Sequence, residues 1–410
     1  MSNSGRGLSA LAVSGMPPCT ARASVPDRMN VRGMRRTYRY RLYPTPAQGT
    51  ALHEQVDEAC RLYNAALDER RAAWRMNRIS IGYLDQANQL KAIRAAGDCG
   101  VANFSACQDV LRRVDKTFAA FFRRVKAGQQ AGYPRFRSRS RYDSLTWPSW
   151  GDGCVLRPSG RLYLQGVGDL KAKWHRAIRG TIKTTTVRRQ AGKWYVCFSV
   201  EQEQPQPLPA CTAEVGIDVG LETFATLSNG CEVANPRYAR VAAHRVALAQ
   251  RKLARRQRRS RRRQKARREL AAAQLHVANQ RRDFHHKVAR DLVQRYGRIA
   301  VEHLNIAGLA GGMLARSVHD AGWSQFLRIL VLKAEEAGRT LVAVNPAGTT
   351  QRCSSCGEPV PKTLSQRRHE CPCGLSLGRD HNAARNVLLQ AQRLGWSLQA
   401  PTVGVARAVA

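Results

Sequence analysis

Hydrophobic spacing divides the chain beyond residue 34 into two blocks with different periodicities. In the first block, RRTYRYRLYP alternates as a strand and ends at Pro44. Thr45-Pro46-Ala47-Gln48 then opens a helix, with Thr45 as N-cap, Pro46 at the first helical position and Gln48 completing a capping box. Leu52, Val56, Cys60, Tyr63 and Leu67 follow at helical spacing, and Val110, Val114, Phe118, Phe121 and Phe122 mark one face of a later helix. Residues 45–130 therefore read as a helical insertion between strands. The runs RLYLQGV, TIKTTTVRR and KWYVCFSVEQ predict a small β-barrel or sheet over 154–202. A Pro-rich linker at 203–210 closes this block.

The second block has the periodicity of an α/β domain. AEVGIDVG is an apolar strand carrying one acid, Asp218, and FATLSNG is a second strand with a hairpin turn at Asn229-Gly230. Residues 238–296 predict a very basic helical hairpin that keeps an apolar stripe. RIAVEHLNI is another strand with a single acid, Glu302. Trp323, Phe326, Leu327, Leu330 and Val331 place an amphipathic helix over Ser317 to Gly338, and RTLVAVNP gives a further strand. A final helix buries Ala384, Val387, Leu388 and Ala391 and stops at Gly395. Residues 1–34 and 399–410 read as a disordered extension and a flexible tail, and Met29 or Met34 is the expected functional start.

Charge narrows the class of partner. The 410 residues carry 68 Lys+Arg against 29 Asp+Glu, a net charge of +39. A surplus of that size points to a polyanion, because neutralising phosphates releases condensed counterions. The loop GYPRFRSRSRYDSLTW interleaves Tyr133, Arg135, Phe136 and Arg137, a pairing suited to phosphate contact and base stacking. Residues 1–34 contain no apolar h-region, and no run is long enough to span a membrane, so the expected location is cytoplasmic with no membrane partner.

Three acids stand out on this layout: Asp218 and Glu302 on strands, and Asp380 at a helix start. Two like charges about 4 Å apart repel by around 4 kcal/mol at an effective dielectric near 20. Mg²⁺ removes that conflict, and two such ions can activate a water and stabilise the leaving 3′ oxygen in phosphodiester cleavage. Of the twelve cysteines, Cys353, Cys356, Cys371 and Cys373 form two close pairs, CSSCG and CPCG. Four thiolates so spaced suit one structural Zn²⁺, with His369 a candidate substitute ligand. The cysteine loop would fix where the last helix begins and so place Asp380 against the other two acids.

In order along the chain, GIDVG, VEHLNI, the CSSCG/CPCG pair and GRDHNAARN resemble the RuvC-like motifs and zinc insertion of the TnpB family. RLYPTPAQ, RLYNAALDERRAAW and GYPRFRSR are similar to that family's opening strand, helical lobe and basic loop, so the likeness covers roughly residues 35–390. The resemblance implies a multidomain α/β fold. An RNase H-like (RuvC) nuclease domain at 211–347 and 376–398 would carry a zinc-binding insertion at 348–375. A β-barrel-like wedge domain at 35–44 and 137–202 would hold a helical recognition lobe at 45–136. The resemblance makes Asp218, Glu302 and Asp380 the catalytic, Mg²⁺-holding carboxylates. It implies a guide RNA from a transposon end, a short motif beside the target, and Mg²⁺-dependent cleavage of double-stranded DNA. Two departures are Gly378, where relatives commonly carry an acid, and the shortened CPC pair. The competing expectations are a guide-directed DNA-binding protein that does not cut and a conventional RNase H-like transposase. Oligomeric state is left open.

Overall fold

The computed structural model describes residues 34–363 and 365–397. The expected tail and almost all of the expected N-terminal extension lie outside the described residues; Met34, assigned to that extension, opens the first strand. The described chain forms two compact units, one of residues 34–204 and 248–275, the other of 205–247 and 276–397.

The first unit begins with β1 (Met34–Tyr43), α1 (Pro46–Asn77), α2 (Tyr83–Ala95) and α3 (Phe104–Lys126). Strands β2 (Ser144–Trp147), β3 (Cys154–Leu156), β4 (Leu162–Leu164), β5 (Gly168–Lys173), β6 (Thr181–Gln190) and β7 (Lys193–Gln202) follow. The capping box at the head of α1 is complete: Gln48 N–H donates to Thr45 Oγ1 at 3.3 Å and Thr45 N–H donates to Gln48 Oε1 at 3.0 Å. The strands form one antiparallel sheet in the order β2-β6-β7-β1-β5-β4-β3. Trp147, Tyr40 and Phe198 from the sheet and Leu52, Leu67 and Val110 from the helices line one core, so helices and strands fold as one body. The apolar stripe of α3 outlasts that core: Val110 and Val114 are buried, whereas Phe122 is 60% exposed.

The second unit starts with β8 (Glu214–Asp218), β9 (Thr223–Leu227) and β10 (Glu232–Ala234), then α4 (Tyr238–Val241), α5 (Ala243–Ala254) and α6 (Arg261–Arg295). The last two turns of α5 and the first part of α6 group with the first unit. Next come β11 (Arg298–Glu302), α7 (Ile306–Leu309), α8 (Ala315–Ala321), α9 (Trp323–Ala337) and β12 (Thr340–Val344). A short β13 (Arg368–Glu370), β14 (Ser376–Gly378) and α10 (Arg379–Arg393) complete it. The amphipathic helix expected from Ser317 to Gly338 is two helices, because Gly322 between them is left-handed at φ +67°. A Cβ there would lie 2.9 Å from Arg281 Cδ, so the break is set by close packing as well as by backbone.

The sheet order is β10-β9-β8-β11-β12, with β8, β11 and β12 parallel. Strand alternation gives its two faces different chemistry. Val215, Ile217, Ile299 and Val301 pack with Phe326 and Leu330 of α9, while Ala300 and Val342 pack with Val387 and Ala391 of α10. Asp218 and Glu302 fall at the period-2 positions of the α10 face, each preceded on that face by a small residue, Gly216 or Ala300.

Candidate active site

The parallel register pairs Val301 with Ile217, so Asp218 and Glu302 stand side by side at the C-terminal ends of neighbouring strands. Strand ends of that kind are where open α/β sheets place their ligands. Helix α10 supplies the third acid by lying directly on β8. A Cβ at Gly216 would be 2.2 Å from the Ala384 carbonyl oxygen and 2.6 Å from the Leu388 nitrogen, so only glycine admits the helix at this distance. Gly378 is the N-cap of α10 and offers no side-chain cap, which leaves Asp380 in the first turn, where the helix dipole favours negative charge.

Electrostatics tie the three acids together. Burial, and then the charges of Glu302 and Asp380, push the Asp218 carboxyl well above the usual carboxylate range, with Arg379 opposing. Burial also raises Glu302, against a hydrogen bond from Thr349 Oγ1 to Glu302 Oε1 at 2.6 Å. Arg379 Nε sits 3.2 Å from Asp380 Oδ1. Three neighbouring carboxylates, two of them buried, whose mutual repulsion Arg379 offsets only in part, suit a hard divalent cation. Sequence reasoning passed over Thr349 and Arg379, and it passed over the asparagines of GRDHNAARN, whose four-residue spacing puts Asn382 and Asn386 on one face of α10.

The four predicted cysteines also converge. The Sγ atoms of Cys353, Cys356, Cys371 and Cys373 all lie within 4.8 Å of one another, with Cys353–Cys373 at 3.7 Å and Cys356–Cys371 at 3.5 Å. Tetrahedral zinc with Zn–S near 2.3 Å needs sulfurs about 3.8 Å apart, so the donor set fits, shortened CPC included. His369 is buried beside this group and its Nδ1 faces Lys362 Nζ; among the described residues the converging set is the four sulfurs, without His369. Burial resists ionisation of Cys353, yet the Cys356 and Ser355 backbone N–H groups, with His369 and Cys356 side chains, bring its thiol down to about 5.

The basic loop of the first unit is anchored and exposed by turns. Arg137 N–H donates to Asn64 Oδ1 at 2.8 Å and its carbonyl accepts from Asn64 Nδ2 at 2.8 Å, fixing that end of the loop to α1. Tyr133 and Phe136 are exposed, with Tyr133 edge-on to Phe121 at 5.3 Å and the Arg71 guanidinium 4.9 Å from the Phe136 ring centre. Arg135 is exposed between them. Arg71, Phe121 and Phe122 thus join the predicted residues in one aromatic and cationic face, which the sequence did not reveal because helix spacing groups the α3 phenylalanines on one face without saying what that face meets.

Comparisons with known proteins bear on both units. The profile of the IS605 OrfB family, described as "Probable transposase", matches residues 197–312, and that of the Cas12f1-like TNB domain matches 323–387. A third profile, described as a helix-turn-helix domain, matches residues 34–78. That span holds β1 and the single long helix α1, so the descriptive name does not fit the fold there. A protein of Streptomyces pristinaespiralis with the name "Putative RNA-guided DNA endonuclease" is 32% identical over 365 residues, covering 87% of this chain and 89% of that one. InsQ of Escherichia coli K12, described in the same words, is 28% identical over 300 residues, covering 68% and 73%. A solved Cas12f1–sgRNA–target DNA complex contains a chain of similar fold, at TM-score 0.54 and 12% identity, covering 87% of this chain and 98% of that chain.

Proposed function

Because the chain belongs to the TnpB family, we propose that it is an RNA-guided DNA endonuclease whose cutting centre is Asp218, Glu302 and Asp380. The observation that carries this reading is the approach of three acids, far apart in sequence, at the ends of two parallel strands and the start of the helix packed on them, within a chain of net charge +39. The three carboxylates would hold Mg²⁺, two ions by analogy with other nucleases, which when bound neutralises the cluster and polarises the attacking water and leaving oxygen. The chain's own residues do the positioning: Thr349 orients Glu302, Gly216 admits the helix of Asp380, and burial limits access of bulk water. Cys353, Cys356, Cys371 and Cys373 would hold one structural Zn²⁺.

The domain assignment follows the same reading. Residues 211–347 and 376–398 form the RuvC-like, RNase H-type nuclease with its zinc insertion at 348–375. Residues 35–44 and 137–202 form a wedge, and 45–136 a recognition lobe. Tyr133, Arg135, Phe136 and Arg137, extended by Arg71 and Phe121, stack on and neutralise nucleic acid, and Asn64 fixes the loop through the Arg137 backbone. The guide RNA comes from a transposon end and the DNA target is marked by a short adjacent motif; pairing supplies most sequence discrimination. The setting is the cytoplasm; no helix of the described residues is long and apolar enough to cross a membrane.

The test is to express the chain with its native flanking DNA, purify it and sequence the bound RNA. One discrete species ending in a segment that matches DNA outside the element supports the proposal. Heterogeneous RNA that moderate salt removes would overturn the guided reading.

A further inference from the structure

We propose that Thr349 is a positioning residue for the carboxylate cluster, and that Asn382 and Asn386 couple it to the cysteine cluster, so that the cysteine loop governs cation affinity at Glu302. This rests on the reading of Glu302 as a cation ligand.

The loop in question leaves β12 directly opposite Glu302. Val344 is the register partner of Glu302, and the His303 N–H donates to the Val344 carbonyl at 2.8 Å. Five residues later the Thr349 side chain returns to the acid: Oγ1 is 2.6 Å from Glu302 Oε1 and 2.9 Å from the Pro346 carbonyl. Thr349 is only 6% exposed, so no bulk water replaces that donor if it is lost.

Helix α10 grips the rest of the loop. Asn386 Nδ2 donates to the carbonyls of Thr349 at 2.8 Å and Arg352 at 2.7 Å. One turn earlier the fully buried Asn382 donates from Nδ2 to the Arg352 carbonyl at 2.7 Å and accepts at Oδ1 from the Ser354 N–H at 2.9 Å. Ser354 adjoins Cys353. The same helix carries Asp380 in its first turn. One paired network therefore runs from a cysteine ligand, through two asparagine amides, to the hydroxyl that orients Glu302. The network is buried at Thr349 and Asn382 and reaches the surface at Asn386 and Arg352; its buried hydrogen bonds favour a single geometry, and partners that orient ligands set metal affinity.

Mn²⁺ binding to the full chain, read by electron paramagnetic resonance at neutral pH, tests this without relying on cleavage. Thr349→Val, which keeps shape and removes the hydroxyl, is expected to weaken Mn²⁺ binding about tenfold, and Thr349→Ser to restore it. Cys356→Ser is expected to weaken Mn²⁺ binding in the native background and to add little in Thr349→Val, because the path is already cut. Wild-type affinity in Thr349→Val would overturn the inference, as would failure of Thr349→Ser to rescue or full additivity with Cys356→Ser. Glu302→Gln separates the two levels. If it loses Mn²⁺ while Thr349→Val does not, the inference fails and the carboxylate reading stands. If Glu302→Gln binds Mn²⁺ as the native chain does, the carboxylate reading itself fails.

Discussion

Asp218, Glu302 and Asp380 meet at the ends of buried strands and on a helix packed against them, whereas the four cysteines meet on a surface loop tied by two three-residue strands. Both groups crowd like charges, but their supports differ. The acids are held by an apolar core that exists without any ion, and the cost appears as raised carboxyl pKa values. The cysteine loop has little core of its own, with Cys356 and Cys373 exposed, so a bound ion would supply much of its folding free energy. A catalytic ion has to be exchangeable on a rigid frame; a structural ion can be the frame.

Substitution should separate the two most sharply. Asp218→Ala is expected to lower guided cleavage on the order of a thousandfold or more while leaving RNA and target binding unchanged in filter-binding assays. Asp218→Asn should raise the melting temperature of the ion-free protein, since it removes a buried charge conflict. Cys353→Ser should do the reverse, costing about 3 kcal/mol or more in denaturant titrations with zinc present. If both substitutions move stability in the same direction, the comparison is wrong.

The pH dependence of stability sharpens it further. In the folded chain Asp218 and Glu302 keep their protons to higher pH than in the unfolded chain. Their contribution is thus fully present below the ordinary carboxylate range near pH 4 and is lost as pH rises through their folded values. Stabilisation by Mg²⁺, followed by thermal shift, should accordingly grow with pH over that window. His285 acts in the opposite sense. Burial against Phe224 and Phe326 brings it down to about 4, with Nε2 2.9 Å from the Ala321 carbonyl. Its contribution is present above the ordinary imidazole range and lost as pH falls from about 6.5 toward 4, on the order of 3 kcal/mol. A His285→Gln variant should flatten that acid limb.

The smallest effect is expected away from both clusters. Tyr133→Ala should weaken nucleic-acid affinity by about 1 kcal/mol, as loss of one stacking ring does, whereas Asn64→Ala, which removes both hydrogen bonds to the Arg137 backbone, should chiefly lower stability by about 1–2 kcal/mol.

Local signals were the legible ones. The capping box at Thr45, the hairpin turn at Asn229-Gly230 and the two cysteine pairs are each written within a few residues, and each forms as expected. The three acids were legible because an apolar strand with one carboxylate is conspicuous, although their convergence depends on a contact no local pattern encodes, the bare Gly216 under α10. Thr349, Asn382 and Asn386 stayed hidden because a threonine in a loop and asparagines on a helix are ordinary until tertiary structure pairs them. Gly322 was read through for a related reason: the apolar spacing of α9 is strong enough to mask a left-handed break at its start.

The most direct test of the central claim is cleavage of a plasmid by the purified chain with its bound RNA. It compares a matched with an unmatched target, Mg²⁺ with EDTA, and the native chain with Asp218→Ala. Linear product only from the native chain on the matched target with Mg²⁺ is the predicted result. Cutting that persists in Asp218→Ala, or that ignores the match to the guide, would contradict it.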